Sequence, residues 1–357
     1  MSYYEYNSYD KENIMDKEYT AKLNKICNLM TKRKWDYKDT SRASGVNLRT
    51  LESILNGDRI LEPKQLDQMY EIIRDSKKSN LLKFEKPIVM TFYAYKGGIG
   101  KSSLAYNLAY SLAQMGYKIL VIDADGQADT SSMLYSKFLS LGNKNLFEAM
   151  YHSHDLVKGG YVFSTDYDNL DVVVANMKME LMEATVALKT EPQRKQILEL
   201  CFKTIIEENY YDMVIIDRDK NAGLVSGLFL EKTDFIIMPV LSQMLSVKSA
   251  PNTRSFIEAC KERNSKLQIL GMVWNLVDKR KNPRNTSAKD FYDGFDNLLF
   301  NTIIPVSADF ESSQDYMMPL GVYKSNGEAN KKIQEFTIEV LERIEKSLKE
   351  RGDGLLV

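Results

Sequence analysis

The sequence predicts an α/β fold in which helices cover both faces of a mostly parallel, twisted sheet, preceded by a small all-α domain. From residue 88 onward, short runs of Val, Ile, Leu and Met alternate with longer amphipathic segments, which is typical of buried parallel strands joined by helices. The chain before that point is different, because residues 20–86 carry 15 Lys and Arg against 9 Asp and Glu. A basic helical module therefore precedes a larger α/β domain.

The domain boundaries follow from these changes in pattern. We predict a leader over residues 1–18, a helical domain over 19–80, a linker over 81–87 and an α/β domain over 88–357. A length of 357 residues suits two domains, at about 100–200 residues for each.

The composition excludes several classes of protein. Because 48 Lys and Arg nearly balance 49 Asp and Glu, the whole chain is neither a basic nucleic-acid coat nor an acidic tail. Three Cys and two His are too few for a disulfide framework or a His-rich metal site. The sequence has no run of about 18 apolar residues and predicts no transmembrane helix. We therefore expect a cytoplasmic protein without a membrane partner.

The basic module contains a candidate DNA-binding element. Residues 37–56 have the spacing of a helix-turn-helix, in which Gly45 suits the tight turn and Asn47 the N-cap of the second helix. The outward side chains of that second helix, which are the candidates to contact DNA, are Arg49, Thr50 and Ser53. A plain helical hairpin that packs in a dimer is the alternative.

Seven apolar runs of the α/β domain predict strands. They are Ile88–Ala94, Lys118–Ile122, Leu170–Ala175, Met213–Ile216, Phe235–Val240, Ile269–Trp274 and Thr302–Val306. The last helix has Ile333, Phe336 and Val340 on one face. Because its polar face mixes Glu with Lys and has no basic excess, we predict that it packs against the sheet and does not anchor in a membrane.

The most informative motif stands between the first of these strands and a predicted helix over 102–114. It reads Lys96-Gly97-Gly98-Ile99-Gly100-Lys101-Ser102-Ser103. Glycines at this place let backbone N–H groups approach phosphate oxygens, and the helix N-terminus adds partial positive charge. Lys101 supplies a charge for the β- and γ-phosphates, and the Ser102 hydroxyl can ligate Mg²⁺. The pattern departs from GxxxxGK[ST], because Tyr95 replaces the first Gly and Lys96 is an additional lysine.

With this loop the chain resembles the deviant Walker-A ATPases of the ParA/MinD family, which are P-loop NTPases and include the ParA-type plasmid-partition proteins. The segment from Asp123 to Gln127 is similar to the family's D-x-D-P-Q, and the strand that ends at Asp217 is similar to its Walker B strand. Three later segments also resemble family strands, namely Phe235–Val240, Gly271–Asn275 and Ile304–Ser307. The resemblance covers about residues 88–350.

The resemblance implies ATP and Mg²⁺ as cofactors and a role for each matching residue. Lys96 resembles the signature lysine, which crosses an ATP-sandwich homodimer to the partner's phosphates, and Lys101 the P-loop lysine. Asp125 matches the aspartate that orients the attacking water. The nucleotide would be held by residues of the loop and, at adenine, by one later residue, namely Lys96, Gly97, Gly98, Ile99, Gly100, Lys101, Ser102, Ser103 and Asn275.

The expected metal residues are Ser102, Asp217 through a water, and Asp123 beside them. For either aspartate alone, a turn residue at a strand end is the alternative. Two departures from the family predict slow turnover that a partner stimulates, because phosphoryl transfer depends on positioning. Gly126 replaces a family proline, and Arg218-Asp219-Lys220 replaces Thr-Pro-Pro after Walker B.

The resemblance also bears on DNA binding. Larger plasmid-partition ParA proteins carry an N-terminal helix-turn-helix that binds their own operator, which implies the same for this module, with residues 16–34 as a dimerisation helix. A second basic cluster, which would bind DNA without sequence preference or be a solvated loop, comprises Lys279, Arg280, Lys281 and Arg284. His152 and His154 are interpreted as a loop pair and not as a metal site.

These features predict a bacterial, nucleoid-associated partition ATPase. Its ATP-bound homodimer would bind DNA nonspecifically, a ParB-like centromere-binding protein would stimulate hydrolysis, and the N-terminal module would repress its own operon. Two alternatives stay open. One is a nucleotide-modulated transcriptional repressor with little ATPase activity, which the unusual Arg218-Asp219-Lys220 favours. The other is a MinD-like scaffold ATPase that cycles on a membrane.

Overall fold

The computed structural model describes residues 19, 22–27, 30, 40, 46, 48–55, 61–75, 81–94, 96–219, 223–241, 250–278, 298–353 and 355–356. The chain divides into two compact units, Met1–Leu81 and Leu82–Val357. The described residues of the first unit are mainly helical, whereas those of the second form a sheet with surrounding helices.

The first unit has a small apolar core. Residues 22–27 are helical, and they are followed by α1 (Leu48–Leu55) and α2 (Pro63–Asp75). Pro63 suits the first position of a helix, where a backbone N–H has no intrahelical acceptor. The side chains that these segments bury together are Ile26, Leu51, Ile54, Leu66 and Met69. The apolar faces of these helical segments therefore meet in one cluster.

The strands of the second unit form two sheets. They are β1 (Lys83–Phe84), β2 (Ile88–Phe92), β3 (Ile119–Ala124), β4 (Phe163–Ser164), β5 (Leu170–Val173), β6 (Met213–Arg218), β7 (Phe235–Val240), β8 (Gln268–Val277), β9 (Leu299–Pro305) and β10 (Leu355–Leu356). Eight strands pair in the order β4-β5-β3-β6-β2-β7-β8-β9, and β1 pairs with β10. Within the large sheet β4 and β5 are antiparallel and the other neighbours are parallel. The predicted, mostly parallel sheet is confirmed.

Helices connect these strands. They are α3 (Lys101–Gln114), α4 (Asp129–Leu134), α5 (Leu146–His152), α6 (Met182–Ala187), α7 (Glu191–Glu208), α8 (Leu224–Glu231), α9 (Ala250–Lys261), α10 (Ala308–Asp315), α11 (Leu320–Tyr323) and α12 (Glu328–Arg351), with 3₁₀ turns at Phe138–Ser140 and Met177–Leu181. Every residue of β2, β3, β6 and β7 is buried. Because successive side chains of a strand point to opposite faces, both faces of the central sheet are covered.

Each of the seven predicted apolar runs overlaps a strand of the large sheet. Three short strands of the described residues, β1, β4 and β10, were not predicted. One of them, β1, lies within residues 81–87, which the sequence predicts as a linker. Phe84 of this strand is buried and stacks on Tyr117, with ring centroids 6.4 Å apart. This part of the linker is therefore an ordered edge of the second unit.

The last helix, α12, packs against the sheet as its apolar face predicts. Ile333, Phe336, Val340 and Ile344 are buried, and the ring of Phe336 meets Phe300 of β9 edge to face at 5.1 Å. No helix in the described part of the chain combines the length and the apolar character needed to span a bilayer.

The topology brings three strand ends together. β2 lies between β6 and β7, and β3 lies on the other side of β6. Asp217 of β6 is in register with Phe92 of β2 and with Asp123 of β3. The loop after β2 and both aspartates therefore meet at the carboxyl edge of the sheet, where ligands bind in open α/β folds.

Candidate functional site

The loop between β2 and α3 is shaped by two glycines in the left-handed region. Gly98 has a φ of +67° and Gly100 a φ of +80°, values that residues with a side chain rarely adopt. α3 begins at Lys101, and no side chain caps its N-terminus. Its first N–H groups have no acceptor within the helix, so this end is suited to an anion.

The side chain of Asn275, in β8, contacts this loop. Its side-chain Nδ2 donates a hydrogen bond of 2.7 Å to the carbonyl of Ile99, and the residue is 3% exposed. A Cβ on Gly100 would lie 2.4 Å from the same Nδ2, so only glycine fits there. The predicted contact of Asn275 with adenine stays a prediction, whereas its contact with the loop is direct.

Lys101 lies against the strand-end carboxylates. Burial lowers the pKa of its ammonium group, while the negative charges of Asp217 and then of Asp125 act in the opposite direction. Asp217 is fully buried, and its Oδ2 accepts a hydrogen bond of 2.7 Å from Thr130 Oγ1. Its Oδ1 is buried without a hydrogen-bond partner among the described residues, which leaves one carboxylate oxygen for a ligand.

Asp123 organises the segment that follows β3. Its Oδ1 accepts from the N–H of Asp125 at 3.1 Å, and its Oδ2 accepts from the N–H and the Oγ of Ser131, both at 2.7 Å. Complete burial, and then the negative charge of Asp217, raises the pKa of Asp123 to about 8. Asp123 therefore uses both oxygens within the protein and positions Asp125 through the backbone.

A cavity of about 740 Å³ opens in front of the loop. Its wall includes Lys101 and five acidic side chains, which are Asp125, Asp129, Glu180, Glu183 and Asp219. A triphosphate at the loop would therefore meet like charges in the same cavity, and a cation would relieve the repulsion.

Two carboxylates of the cavity lining, which sequence reasoning missed, contact groups of other segments. Glu183 Oε1 and Oε2 accept from the N–H groups of Leu224 and Val225, at 2.6 and 3.1 Å. Glu180 accepts from Gln127 Nε2 at 3.4 Å, and a Cβ on Gly126 would lie 2.9 Å from its Cγ. The segment with Gly126 in place of the family proline is thus closely packed. No motif marks Glu180 or Glu183 in the sequence.

One member of the charged pair after Walker B, Asp219, also lines the cavity. Arg218 is 2% exposed, its Cζ lies 4.7 Å from the centre of the Tyr93 ring, and its Nη2 donates to Asp219 Oδ1 at 2.9 Å. Arg218 therefore faces the protein interior and holds Asp219 at the site. Lys220 lies outside the described residues.

Most of the predicted site residues of the second unit come together. Those that line the cavity are Gly97, Gly98, Gly100, Lys101, Ser102, Ser103 and Asp125. Those that are buried at the same edge of the sheet are Ile99, Asp123, Asp217 and Asn275. Lys96 is half-buried at the start of the loop. Their roles toward a nucleotide stay predictions.

The predicted DNA-contacting residues are placed only in part. Thr50 and Ser53 are half-buried on α1, and Arg49 belongs to the same helix, but its side chain lies outside the described part. The second basic cluster lies entirely outside the described residues and comprises Lys279, Arg280, Lys281 and Arg284.

His152 is the last residue of α5 and only His154 lies in the loop that follows, so the predicted loop pair is correct for His154 alone. His154 Nδ1 is 2.8 Å from the hydroxyl of Tyr161, and the rings of His152 and His154 stack at 5.4 Å. In the described ranges no three His, Cys, Asp or Glu side chains gather into a metal site. A magnesium ion at the loop would therefore take oxygen ligands from a bound phosphate in addition to protein atoms.

A glycine-rich loop between a parallel strand and a helix, with a buried lysine and strand-end aspartates beside it, defines a P-loop nucleoside triphosphatase fold. The AAA_31 family, described as an AAA domain, matches residues 88–269. The chain belongs to this family and, within it, to the ParA-type ATPases of the deviant Walker-A ParA/MinD group.

Known proteins are similar over most of the second unit. The chromosome partitioning protein ParA of Caulobacter vibrioides is 24% identical over 241 residues, which are 66% of this chain and 86% of that protein. A plasmid partition protein from Borrelia burgdorferi has a TM-score of 0.55 and 22% identity, over 73% of this chain and 99% of that one. Cobyrinic acid a,c-diamide synthase from Mycobacterium smegmatis, with bound ATP analog and magnesium, has a TM-score of 0.59 and 18% identity, over 72% and 95%. The synthase and the partition protein are similar to the same chain although their names describe different activities. The structural similarity therefore shows the fold and not the function.

Proposed function

We propose that the chain binds ATP with Mg²⁺ in the cavity before the loop and hydrolyses it to drive DNA partition. The observation that carries the proposal is the loop itself, with two left-handed glycines, an uncapped helix N-terminus and the buried Lys101 converging on one edge of the sheet. The ATP analog bound by the similar cobyrinic acid a,c-diamide synthase supports a triphosphate ligand.

The residues present suit a magnesium ion. Asp217 has one buried carboxylate oxygen without a hydrogen-bond partner among the described residues, and the neighbouring Ser102 side chain acts to lower the pKa of the same carboxyl. Ser102 and, through water, Asp217 would hold Mg²⁺, with Asp123 behind them as the residue that fixes the edge. The ion would neutralise phosphate charge in a cavity whose lining includes five acidic side chains.

The remaining steps rest on this chain's own side chains. Lys101 binds the phosphates, and Asp125, at the cavity wall, orients the attacking water. Lys96 reaches the phosphates of the second copy in an ATP-bound homodimer. That dimer binds DNA nonspecifically at the nucleoid, and a ParB-like partner stimulates hydrolysis and releases it. The helical N-terminal unit binds the protein's own operator in the ADP or empty state.

A second candidate is a repressor for which nucleotide is only a ligand. Asp219, held by the buried Arg218, places an additional negative charge on the cavity wall where the family has Thr-Pro-Pro. Such a wall would oppose the charge that develops on the phosphates during transfer. This candidate predicts operator binding with negligible hydrolysis, even with DNA and a partner.

Binding to the gene's upstream DNA and to random DNA, each with ADP and with ATP, tests the proposal. We expect ATP to favour random DNA and ADP to favour the upstream DNA. Lys96→Ala should keep nucleotide binding but lose the ATP-dependent association, while Lys158→Ala, an exposed lysine, should behave as wild type. An absence of any nucleotide effect would contradict the proposal, and so would turnover above about 10 per second.

A further inference from the structure

A second helix begins at the wall of the cavity, and a distant carboxylate holds its first turn. α8 starts at Leu224, and the N–H groups of Leu224 and Val225 both donate to Glu183, at 2.6 and 3.1 Å. The contact joins α6 to α8 across 41 residues of sequence. A carboxylate in this position satisfies two N–H groups that lack intrahelical acceptors and faces the positive end of the helix.

Gly223 leaves room for this contact. A Cβ on Gly223 would lie 2.4 Å from Glu183 Oε1, 2.6 Å from its Cδ and 2.7 Å from its Oε2. The backbone of Gly223, with φ −125° and ψ −165°, is extended and open to any residue. A side chain at residue 223 would therefore displace the carboxylate of Glu183, although the backbone conformation there would accept any residue.

The first turn of α8, which Glu183 contacts, forms part of the site. Val225 and Ser226 of α8 line the cavity together with Glu183 itself. Residues of the phosphate loop line the same cavity, so its lining is built by different elements. Catalysis requires that the reacting groups be held within a fraction of an ångström. A shift of the cavity lining is therefore expected to lower kcat more than it lowers nucleotide affinity.

We infer that Glu183 is a positioning residue for the hydrolysis proposed above: it fixes the first turn of α8, which contributes Val225 and Ser226 to the lining of the cavity that the phosphate loop also lines. The inference rests on the proposed ATPase function. Glu183 acts through backbone amides. Its removal is therefore expected to shift Val225 and Ser226, while Lys101 and the phosphate loop keep their positions.

The test compares four variants by ATP turnover, by affinity for a fluorescent ATP analogue and by amide exchange. Glu183→Ala should lower kcat about tenfold and change nucleotide affinity by less than about threefold. Glu183→Gln keeps one acceptor oxygen and should fall between Ala and wild type. Gly223→Ala should reproduce the Ala result, because its Cβ displaces the carboxylate. Gly227→Ala, in the same helix with open space around its Cβ, should match wild type.

A double variant makes the test specific to this contact. Glu183→Ala combined with Gly223→Ala should lose no more turnover than either change alone, because both remove the same interaction. In the nucleotide-free protein the amides of residues 224 and 225 should exchange faster in both single variants than in wild type. Gly223→Ala retains the Glu183 side chain, so it carries the test if Glu183→Ala does not fold.

Several outcomes overturn the inference. They are wild-type turnover in Glu183→Ala, additive losses in the double variant, a loss of nucleotide affinity as large as the loss of kcat, and unchanged exchange at residues 224 and 225. Failure of the proposed function is distinguishable, because then the wild-type chain itself does not hydrolyse ATP. Amide exchange would still decide in that case whether Glu183 holds α8.

Discussion

The N-termini of α3 and α8 both meet the cavity, yet they are treated in opposite ways. No side chain caps α3, and the buried Lys101 stands at its first position. At α8 the carboxylate of Glu183 accepts from the first two N–H groups. A helix N-terminus attracts an anion, so the protein satisfies one of these ends internally and leaves the other for a ligand.

This difference leaves one of the two helix ends open to an anion. Lys101 and the uncapped end of α3 attract a phosphate group, whereas Glu180, Glu183 and Asp219 add negative charge to the lining of the same cavity. At α8 the carboxylate of Glu183 already accepts from the N–H groups that a second anion would need.

Loss of the charge at α3 should have the largest effect. Lys101→Ala removes a buried cation that lines the cavity, and we expect nucleotide affinity to fall at least about 100-fold. Titration with a fluorescent ATP analogue measures this, with the exposed Lys158→Ala as the matched lysine control. Retention of affinity within a few-fold would mean that α3 is not where the phosphates bind.

The difference between the two helix ends also marks what sequence can predict. Residues 96–103 form one contiguous motif, and its glycine spacing and flanking strand point to a phosphate loop because these features are adjacent in sequence. Glu183 meets Leu224 across 41 residues, and nothing in either segment alone indicates the contact. Only the packing of α6 against α8 creates it.

The same limit applies elsewhere in the fold. The buried strands were predictable, because continuous apolar runs such as Phe235–Val240 need no knowledge of partners. β1 and β10 contain two residues each and exist only because the two ends of the second unit meet. Asn275 was assigned to adenine by resemblance, while its bond to Ile99 depends on how β8 lies behind the loop.

A second pair of variants tests whether nucleotide binding at the N-terminus of α3 depends on the backbone conformation of the loop. Gly100→Ala introduces strain at φ +80° and a contact of 2.4 Å with Asn275, whereas Gly98→Ala introduces strain at φ +67° with open space around it. We expect nucleotide affinity to fall roughly tenfold for Gly100→Ala and a few-fold for Gly98→Ala, since left-handed backbone costs about 1–2 kcal/mol. Equal losses would show that the contact with Asn275 is unimportant.

The smallest effect concerns a carboxylate that resembles Glu183 but lies away from the cavity. Glu339 of α12 accepts from the N–H groups of Asn301 and Thr302, at 2.7 and 2.9 Å, and from Thr302 Oγ1 at 2.9 Å. Burial alone would raise its pKa, but these hydrogen bonds, with Arg343 beside them, hold the pKa below its usual 4.5. Glu339→Gln should therefore lower the free energy of unfolding by about 1–2 kcal/mol at neutral pH.

The pH dependence has a definite sign. A carboxyl whose pKa is depressed by folding stabilises the protein above its unfolded value and loses that contribution as the pH falls through the folded value. The gap between wild type and Glu339→Gln, measured by urea unfolding, should thus be full at pH 7 and narrow below about pH 4.5. ATP turnover of Glu339→Gln should equal that of wild type, in contrast to Glu183→Ala. A comparable loss of turnover in both would show that amide-holding carboxylates act through general stability, and the distinction between the cavity wall and the rest of the fold would fail.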